Sequence, residues 1–432
     1  MIFTERTLGE ICDEGGGEVR TGPFGSQLHE SDYSEDGTPV VMPKDIIEGR
    51  VSERSVARVG SAHVSRLARH QLMVGDIVYG RRGDIGRQAL ITNKERGWLC
   101  GTGCLRVSLG NSALDAKYLH YYLRESSVIA HIAQHAIGAT MPNLNTSILR
   151  SIKIHYPSRD NQHRIAAILS AYDDLIENNT RRIAVLEEMA RRLYDEWFVN
   201  FHFPAHEQVR MVESELGLLP EGWEVATVGE CLIVHRGKSY KSSELTEDGG
   251  LPFVNLKCME RDGGFRKSGL KRFIGAYKET QKVAVGDLVM AVTDMTQERR
   301  IIARCGRIPR LDAGFGVISM DLVKLEPRPS VPRDYLYGML RWSGFADEVK
   351  QHANGANVLH LLPDRISDYQ FAKPDKVLMD RFAATIAPML KQVDVFGEKN
   401  TNLRTQRDLL LPKLIFGEID VSIFPEPEAV TA

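Results

Sequence analysis

Several short segments have the residue types of catalytic motifs, and each lacks a part the chemistry needs. Gly237-Lys238-Ser239 has the ending of a phosphate-cradling P-loop, but that loop needs a glycine five residues before Gly237, where Leu232 stands. Asp312-Ala313-Gly314-Phe315-Gly316 has the glycine pair of a nucleotide- or methyl-donor-binding turn, yet it follows Pro309 rather than a strand. The same residues suit a plain turn between strands. Pro363-Asp364 would open a metal-dependent nuclease motif, and no Asp/Glu-x-Lys follows at a suitable distance. The thirteen histidines include no H-E-x-x-H. No Gly-x-Ser-x-Gly elbow occurs, nor the Asn-Pro-Pro-aromatic motif of amino-methyltransferases. The six cysteines are scattered without C-x-x-C spacing, and the nearest two, Cys100 and Cys104, have no matching His or Cys cluster. No zinc site is expected, and the thiols read as reduced residues of a cytosolic protein. The chain is expected to perform no catalysis itself.

Length and composition bound what remains. A chain of 432 residues has room for two or more domains, each with its own core. Charged residues make up 26% and hydrophobic ones 43%, the balance of a soluble globular protein. The N-terminus, Met1-Ile-Phe-Thr-Glu-Arg, is charged at once and has no signal-peptide core, and no apolar run reaches the roughly 20 residues of a membrane span. A cytoplasmic protein is expected. The net charge of −2 is not that of a simple polyanion binder, for which a basic balance is the usual footprint. Nucleic-acid binding would therefore need local basic patches or positive surface from a partner.

The chain repeats itself. Val74-Gly75-Asp76-Ile77-Val78 returns as Val285-Gly286-Asp287-Leu288-Val289, an offset of 211. Tyr118-Leu119 returns as Tyr335-Leu336, Gly138-Ala139-Thr140 as Gly355-Ala356-Asn357, and Ile152–Ser158 as Tyr369–Asp375, all at 217. Ile165-Ala166-Ala167 answers to Phe382-Ala383-Ala384, and Asn179-Thr180 and Leu193 answer to Asn400-Thr401 and Leu414, now at 221. The shared order and nearly constant offset indicate duplication. The four-residue jump is about one helical turn, which a helix absorbs without turning its apolar face away.

Each copy has the same plan. A Gly-, Val- and Ile-rich segment with short strands (Thr38–Met42, Asp76–Gly80, Ala89–Thr92) precedes a helical run, Ala116–Gln134 or Arg333–His352. One more strand follows, Ile152–Tyr156 in the first copy, and then Pro157 or Pro374 opens a long helix. From Ser158 to Phe203 there is neither glycine nor proline, and Pro204 ends the run. Ile165, Tyr172, Asn179, Leu186 and Leu193 recur in heptads, flanked by a row of Leu169, Ile176, Ile183, Ala190 and Trp197. Asn179 in that seam is placed to fix register or to sit partly solvated. The second helix, Lys376–Leu411, contains Pro388 and Gly397, so a kink near Pro388 is expected. Its natural partner is the first helix.

Across about residues 5 to 420 this plan resembles the specificity (S) subunit of type I restriction-modification enzymes. The residues that carry the resemblance are Gly22-Pro23-Phe24-Gly25-Ser26, Val74–Val78, Gly83-Asp84-Ile85-Gly86, and Pro157 through Asn161-Gln162 to Ile165-Ala166. The second copy departs from it: Thr293-Asp294-Met295-Thr296 stands where the first has Arg82-Gly83-Asp84, and Asp380-Arg381 replaces Gln162-His163. The resemblance implies two target-recognition domains that read a bipartite DNA site with two different halves. It implies that the helices dock two modification (methyltransferase) subunits, which carry S-adenosylmethionine and the adenine-methylating chemistry. A restriction subunit with ATP- and Mg-dependent translocation would join them, and no cofactor belongs to this chain. The modification subunits would also supply phosphate contacts that a net charge of −2 cannot.

On that reading each domain needs phosphate contacts for position and base-edge contacts for sequence. In the first domain, Pro23, Phe24, Gly25 and Ser26 would bring backbone close to DNA, while Lys44, Arg81, Arg82 and Arg87 supply donors. Arg81-Arg82 equally suits a solvated turn. Thr140 and Asn143 lie in a polar loop, where Asn143 is placed to read adenine or to cap a turn. In the second domain Arg236, Lys238, Lys241 and Lys257 precede Arg266, Lys267 and Lys271, a basic stretch interleaved with Phe265 and Phe273. Gln297 and Arg299 fall where the first copy has Asp84 to Arg87, and His360 falls near the equivalent of Asn143.

The expected fold is two α/β (α+β) target-recognition domains in tandem, separated by two long antiparallel coiled-coil helices, as a pseudo-twofold repeat. The expected boundaries are domain 1 at 1–157, helix 1 at 158–204, domain 2 at 205–373, helix 2 at 374–417 and a flexible tail at 418–432. A stand-alone DNA-modifying enzyme with fused recognition domains is one alternative, and a coiled-coil DNA-binding regulator or scaffold is the other. A methyl-transfer assay and a search for a methyltransferase partner separate them.

Overall fold

The computed structural model describes residues 1–83, 85–136 and 143–423. It divides into two compact units: one is built from residues up to Ile176 together with the chain from Asn402 onward, the other from Glu177 to Thr401.

In the first unit, strand Thr4–Thr7 pairs antiparallel with Lys153–Tyr156. Thr7 then caps the helix Leu8–Gly15: its hydroxyl accepts from the Glu10 amide at 3.3 Å, and its own amide donates to the Glu10 carboxylate at 2.9 Å. An antiparallel sheet follows in the order Glu18–Thr21, Cys104–Ser108, Ile77–Gly80, Gln88–Leu90. A second sheet runs Leu99–Cys100, Thr38–Val41, Ala57–Val59, Tyr33–Ser34, with its first pair parallel.

The second unit repeats these elements. Glu224–Thr227 pairs with Gln370–Lys373, and Thr227 caps the next helix with Glu230. One sheet runs Leu232–Arg236, Leu322–Pro327, Leu288–Ala291, Cys305–Arg307. The other runs Lys282–Ala284, Phe315–Ile318, Leu251–Val254, Lys271–Phe273, Leu245–Thr246, again with the Phe315–Ile318 and Leu251–Val254 pair parallel. Its extra edge strand, Lys282–Ala284, corresponds to a single bridge from Gln71 to Leu99 in the first unit.

The Val-Gly-Asp repeat has a structural cause. The Asp76 carboxylate accepts from the Met73 amide at 2.8 Å, and the Asp287 carboxylate from the Ala284 amide at 2.9 Å, so each aspartate closes the turn into a central strand. That strand is buried on both faces. Ile77 and Tyr79 enter one core and Val78 another, as Leu288 and Met290 do on one side and Val289 and Ala291 on the other. The period of two dictates the alternation.

The expected helical run Ala116–Gln134 is two helices, Ala116–Tyr122 and Ser126–His135. The break is set by Glu125, whose carboxylate accepts from the Ser127 and Val128 amides at 2.8 and 3.2 Å. Its counterpart breaks at Ser343-Gly344 into Arg333–Trp342 and Phe345–Val349.

The first long helix is Arg159–Tyr194, closed by a wider π turn at Asp195–Val199, and ends four residues before the expected Phe203. The second, Lys376–Ile415, continues through Pro388 and Gly397. Pro388 and Ala384 lie on the exposed face, so the carbonyl that proline leaves unpaired meets solvent, while Phe382, Ile386 and Leu390 keep the other face buried. The helices pack antiparallel. In the second unit Asn179 meets Asn400, Arg182 lies 5.6 Å over the Phe396 ring, and Trp197 lies 5.8 Å from Phe382. In the first, Ile165 and Leu169 share a core with Leu411, Leu414 and Ile415. All six cysteines are buried, and among the described residues no helix is long and apolar enough to cross a membrane.

Candidate nucleic-acid interface

In the first unit the turn Gly101-Thr102-Gly103 gathers distant segments. The Gly101 amide donates to the Val41 carbonyl at 2.9 Å, which places Met42-Pro43-Lys44 beside it. The Arg81 amide donates to the Gly103 carbonyl at 2.9 Å, and the Leu144 amide to the Arg81 carbonyl at 2.9 Å, so Asn143 bridges to Arg82. Gly22 completes the group: a Cβ there would stand 1.8 Å from the Gly101 carbonyl oxygen, so only glycine fits.

The second unit has the same bonds around Ser319-Met320-Asp321. Ser319 donates to the Val254 carbonyl at 2.8 Å, Val292 to Asp321 at 2.9 Å and Leu361 to Val292 at 2.8 Å. Thr293 pairs with His360, and a Cβ on Gly237 would stand 2.0 Å from the Ser319 carbonyl oxygen. Lys44 and Lys257, Arg82 and Thr293, and Asn143 and His360 are therefore structural counterparts. The backbone frame is shared while the side chains it presents differ.

Of the residues singled out in the first unit, Lys44, Arg81, Arg82 and Asn143 come together here. Pro23 is buried next to Gly22, and Phe24, Gly25 and Ser26 are exposed. Arg81 uses Nε for two bonds, to Asn143 Oδ1 at 3.1 Å and to the Leu144 carbonyl at 3.0 Å, which leaves the terminal amino groups of its fork for another acceptor. That bond takes the Asn143 oxygen and leaves Nδ2 to donate. Arg87 is exposed at the far end of its strand connection, and its carbonyl accepts from Gly80 at 2.7 Å. Thr140 lies outside the described residues, as do Asp84, Gly138-Ala139 and Met141-Pro142. Beneath Lys44, the Asp45 carboxylate accepts from the Met42 amide at 3.0 Å, and burial pushes its pKa up.

In the second unit Lys238, Lys257 and His360 meet around Ser319. The Lys238 ammonium lies 3.6 Å from Glu244, whose carboxylate also accepts from the Lys241 amide at 2.7 Å. The Arg266 guanidinium donates to the Lys257 and Met259 carbonyls at 3.1 and 3.4 Å, holding the loop beside Lys267. Lys271 is exposed on its strand, opposite Phe253, and Arg236 ends its own strand opposite Val323. Gln297 donates to the Ala356 carbonyl at 2.9 Å and Arg299 to Gln351 at 3.0 Å, tying their loop to the segment after Phe345–Val349. Sequence reasoning missed the two organising turns, 101–103 and 319–321, since they act through backbone atoms; the closely spaced glycines at 101 and 103 were the available signal.

In the helices, Ile165 and Asn179 are buried and Tyr172, Leu186 and Leu193 are half-buried. The flanking row is the deeper one, with Leu169, Ile176, Ala190 and Trp197 all buried.

Residues 66–188 match the family model described as the type I restriction modification DNA specificity domain. The type I restriction enzyme MjaIX specificity subunit of Methanocaldococcus jannaschii is 25% identical over 394 residues, covering 89% of this chain and 87% of that protein. Over most of its length the chain is similar to type I restriction-modification specificity subunits. The HindI specificity subunit of Haemophilus influenzae is 22% identical over 410 residues, 82% of this chain and 88% of its own. The crystal structure of a type I restriction-modification S subunit from M. genitalium shares the fold, with a TM-score of 0.56 at 17% identity over 96% of both chains. The two constellations of this chain offer hydrogen-bond donors and cations on a fixed backbone frame.

Proposed function

We propose that this chain acts as a specificity subunit and reads a bipartite DNA site, one half through the constellation around Gly101–Gly103 and the other through that around Ser319–Asp321. The observation that carries the reading is the bond-for-bond repeat of one backbone frame with different residues at equivalent places: exposed Arg82 and half-buried Asn143 in one, buried Thr293 and exposed His360 in the other. Two frames of one design presenting different donors would select two different half-sites. Lys44, Lys238 and Lys257 beside them supply phosphate contacts. On this reading 1–157 and 205–373 are the reading domains, and 158–204 and 374–417 are helical spacers that dock two modification subunits. Those partners carry S-adenosylmethionine and the methyl transfer, and a restriction subunit supplies ATP- and Mg-dependent chemistry. Mapping methylated adenines in the source genome with and without this gene tests the proposal. Loss of one split motif with two unlike halves is expected; an unchanged methylome overturns it.

A further inference from the structure

We infer that Arg124 and Arg341 are positioning residues: through a glycine hairpin each fixes where its unit's DNA-facing lysine stands, and ties that placement to the first long helix. The inference rests on the reading of Lys44 and Lys257 as DNA contacts.

In the first unit the chain passes from Lys44 through Asp45 into the antiparallel pair Ile46–Ile47 and Arg50–Val51, closed at its base by the Ser52 amide on the Asp45 carbonyl at 2.8 Å. In the second it passes from Lys257 through Cys258 into a hairpin where Met259 pairs with Phe265, closed by the Arg266 amide on the Cys258 carbonyl at 2.7 Å. The hairpins share this closure but not their sequences, Ile-Ile-Glu-Gly-Arg-Val against Met-Glu-Arg-Asp-Gly-Gly-Phe.

Both tips rest on an arginine at the same position of the repeat. A Cβ on Gly49 would lie 2.9 Å from the His120 ring and 3.3 Å from the Arg124 guanidinium carbon, and one on Gly264 would lie 3.3 Å from a terminal nitrogen of Arg341. A larger residue at either tip would push the hairpin off its seat. Each guanidinium is held by a carboxylate of the first long helix. Arg124 donates to Asp173 at 2.8 Å, and Arg341 donates to both Glu187 oxygens at 3.0 and 3.3 Å. Each also lies 5.5 Å over a ring centroid, Tyr121 or Tyr337. The side chains are 15% and 12% exposed. Burying such pairs contributes little net stability, because desolvation offsets the attraction. A geometric task, holding lysine, hairpin and helix in one register, accounts for the same device in both units.

The test is a double-mutant cycle on the full chain assembled with its modification subunits, reading affinity for a cognate duplex across a salt series. Lys257→Ala is expected to weaken binding about tenfold and to lower the salt slope by about one. Arg341→Gln, with Lys257 intact, is expected to do nearly the same. The double variant should be no weaker than Lys257→Ala alone, because the arginine acts through the lysine. Multiplying losses, or full affinity in Arg341→Gln, overturn the inference while leaving the DNA interface standing. Full affinity in Lys257→Ala overturns both. Glu187→Gln keeps the side-chain size and gives the same comparison should Arg341→Gln not accumulate.

Discussion

Asn179 and Asn400, equivalent residues of the two repeats, hydrogen-bond to each other between the two long helices. Asn179 Nδ2 donates to Asn400 Oδ1 at 2.9 Å, and Asn400 Nδ2 donates to Thr180 Oγ1 at 3.2 Å. Both asparagines are buried. A polar pair inside an apolar seam is satisfied in only one alignment, since sliding either helix by a turn would strand both amides in a dry environment.

Replacing one member therefore costs more than replacing both. Asn179→Leu takes away the donor that the buried Asn400 Oδ1 accepts from and should destabilise the chain by about 1–3 kcal/mol. The Asn179→Leu, Asn400→Leu pair should recover most of that loss and give up alignment instead. Urea midpoints of the three proteins check this: equal losses in single and double variants would deny the pair its role.

Arg82 is the clearest probe of the first reading frame, because it is exposed while Arg81 is partly spent on Asn143 and Leu144. Arg82→Ala should weaken DNA binding by about 1–3 kcal/mol and relax one base position if it reads a base edge. A phosphate contact would instead lower affinity on every sequence and reduce the salt slope by about one. Assembly with the modification subunits should be unaffected. Binding unchanged at every salt concentration would make Arg82 a solvated turn residue.

The repeat was legible in sequence because its conserved pieces do structural work with side chains: Asp76 and Asp287 close turns, and the next residues alternate between two cores. The reading frame was only half legible. Lys44, Arg82, Asn143 and His360 stood out by type, but the turns that assemble them share a carbonyl geometry and no residue, Gly-Thr-Gly in one copy and Ser-Met-Asp in the other. The hairpins beyond Lys44 and Lys257 were hidden for the same reason. Heptad spacing found the helices, yet it could not rank the two adjacent rows, because burial depends on what each row packs against.

His120 makes the first unit sensitive to acid. Its ring is buried against Gln88, with Nδ1 3.0 Å from Oε1, and burial, aided by the nearby Arg124 charge, pushes its pKa down to about 3. In the unfolded chain it titrates near 6.5. The unfolded state thus takes up a proton that the folded state refuses. The stability this neutral ring confers is complete above about pH 6.5 and falls by about 1.4 kcal/mol per pH unit towards pH 3. His120→Gln should flatten the dependence of the urea midpoint on pH between about 6.5 and 4. An unchanged slope would mean that the ring accepts its proton in the folded state.

The two apolar rows of the first helix make a last, quantitative contrast. Leu169 is 0% exposed and packs in one core with Ile165, Leu414 and Ile415, whereas Leu186 is only half-buried. Truncating a fully enclosed leucine removes its transfer free energy and leaves a cavity whose walls cannot close, because neighbouring helices are fixed by their own contacts. Leu169→Ala should therefore cost about 2–5 kcal/mol. Leu186→Ala removes a side chain whose outer atoms already meet water and leaves an open dent that solvent fills, so roughly half that loss is expected. Chemical denaturation of the two variants, with denaturant slopes unchanged, measures the difference. Equal losses would show that the row marked by Ile165, Asn179 and Leu186 carries as much of the packing as the row marked by Leu169 and Ala190.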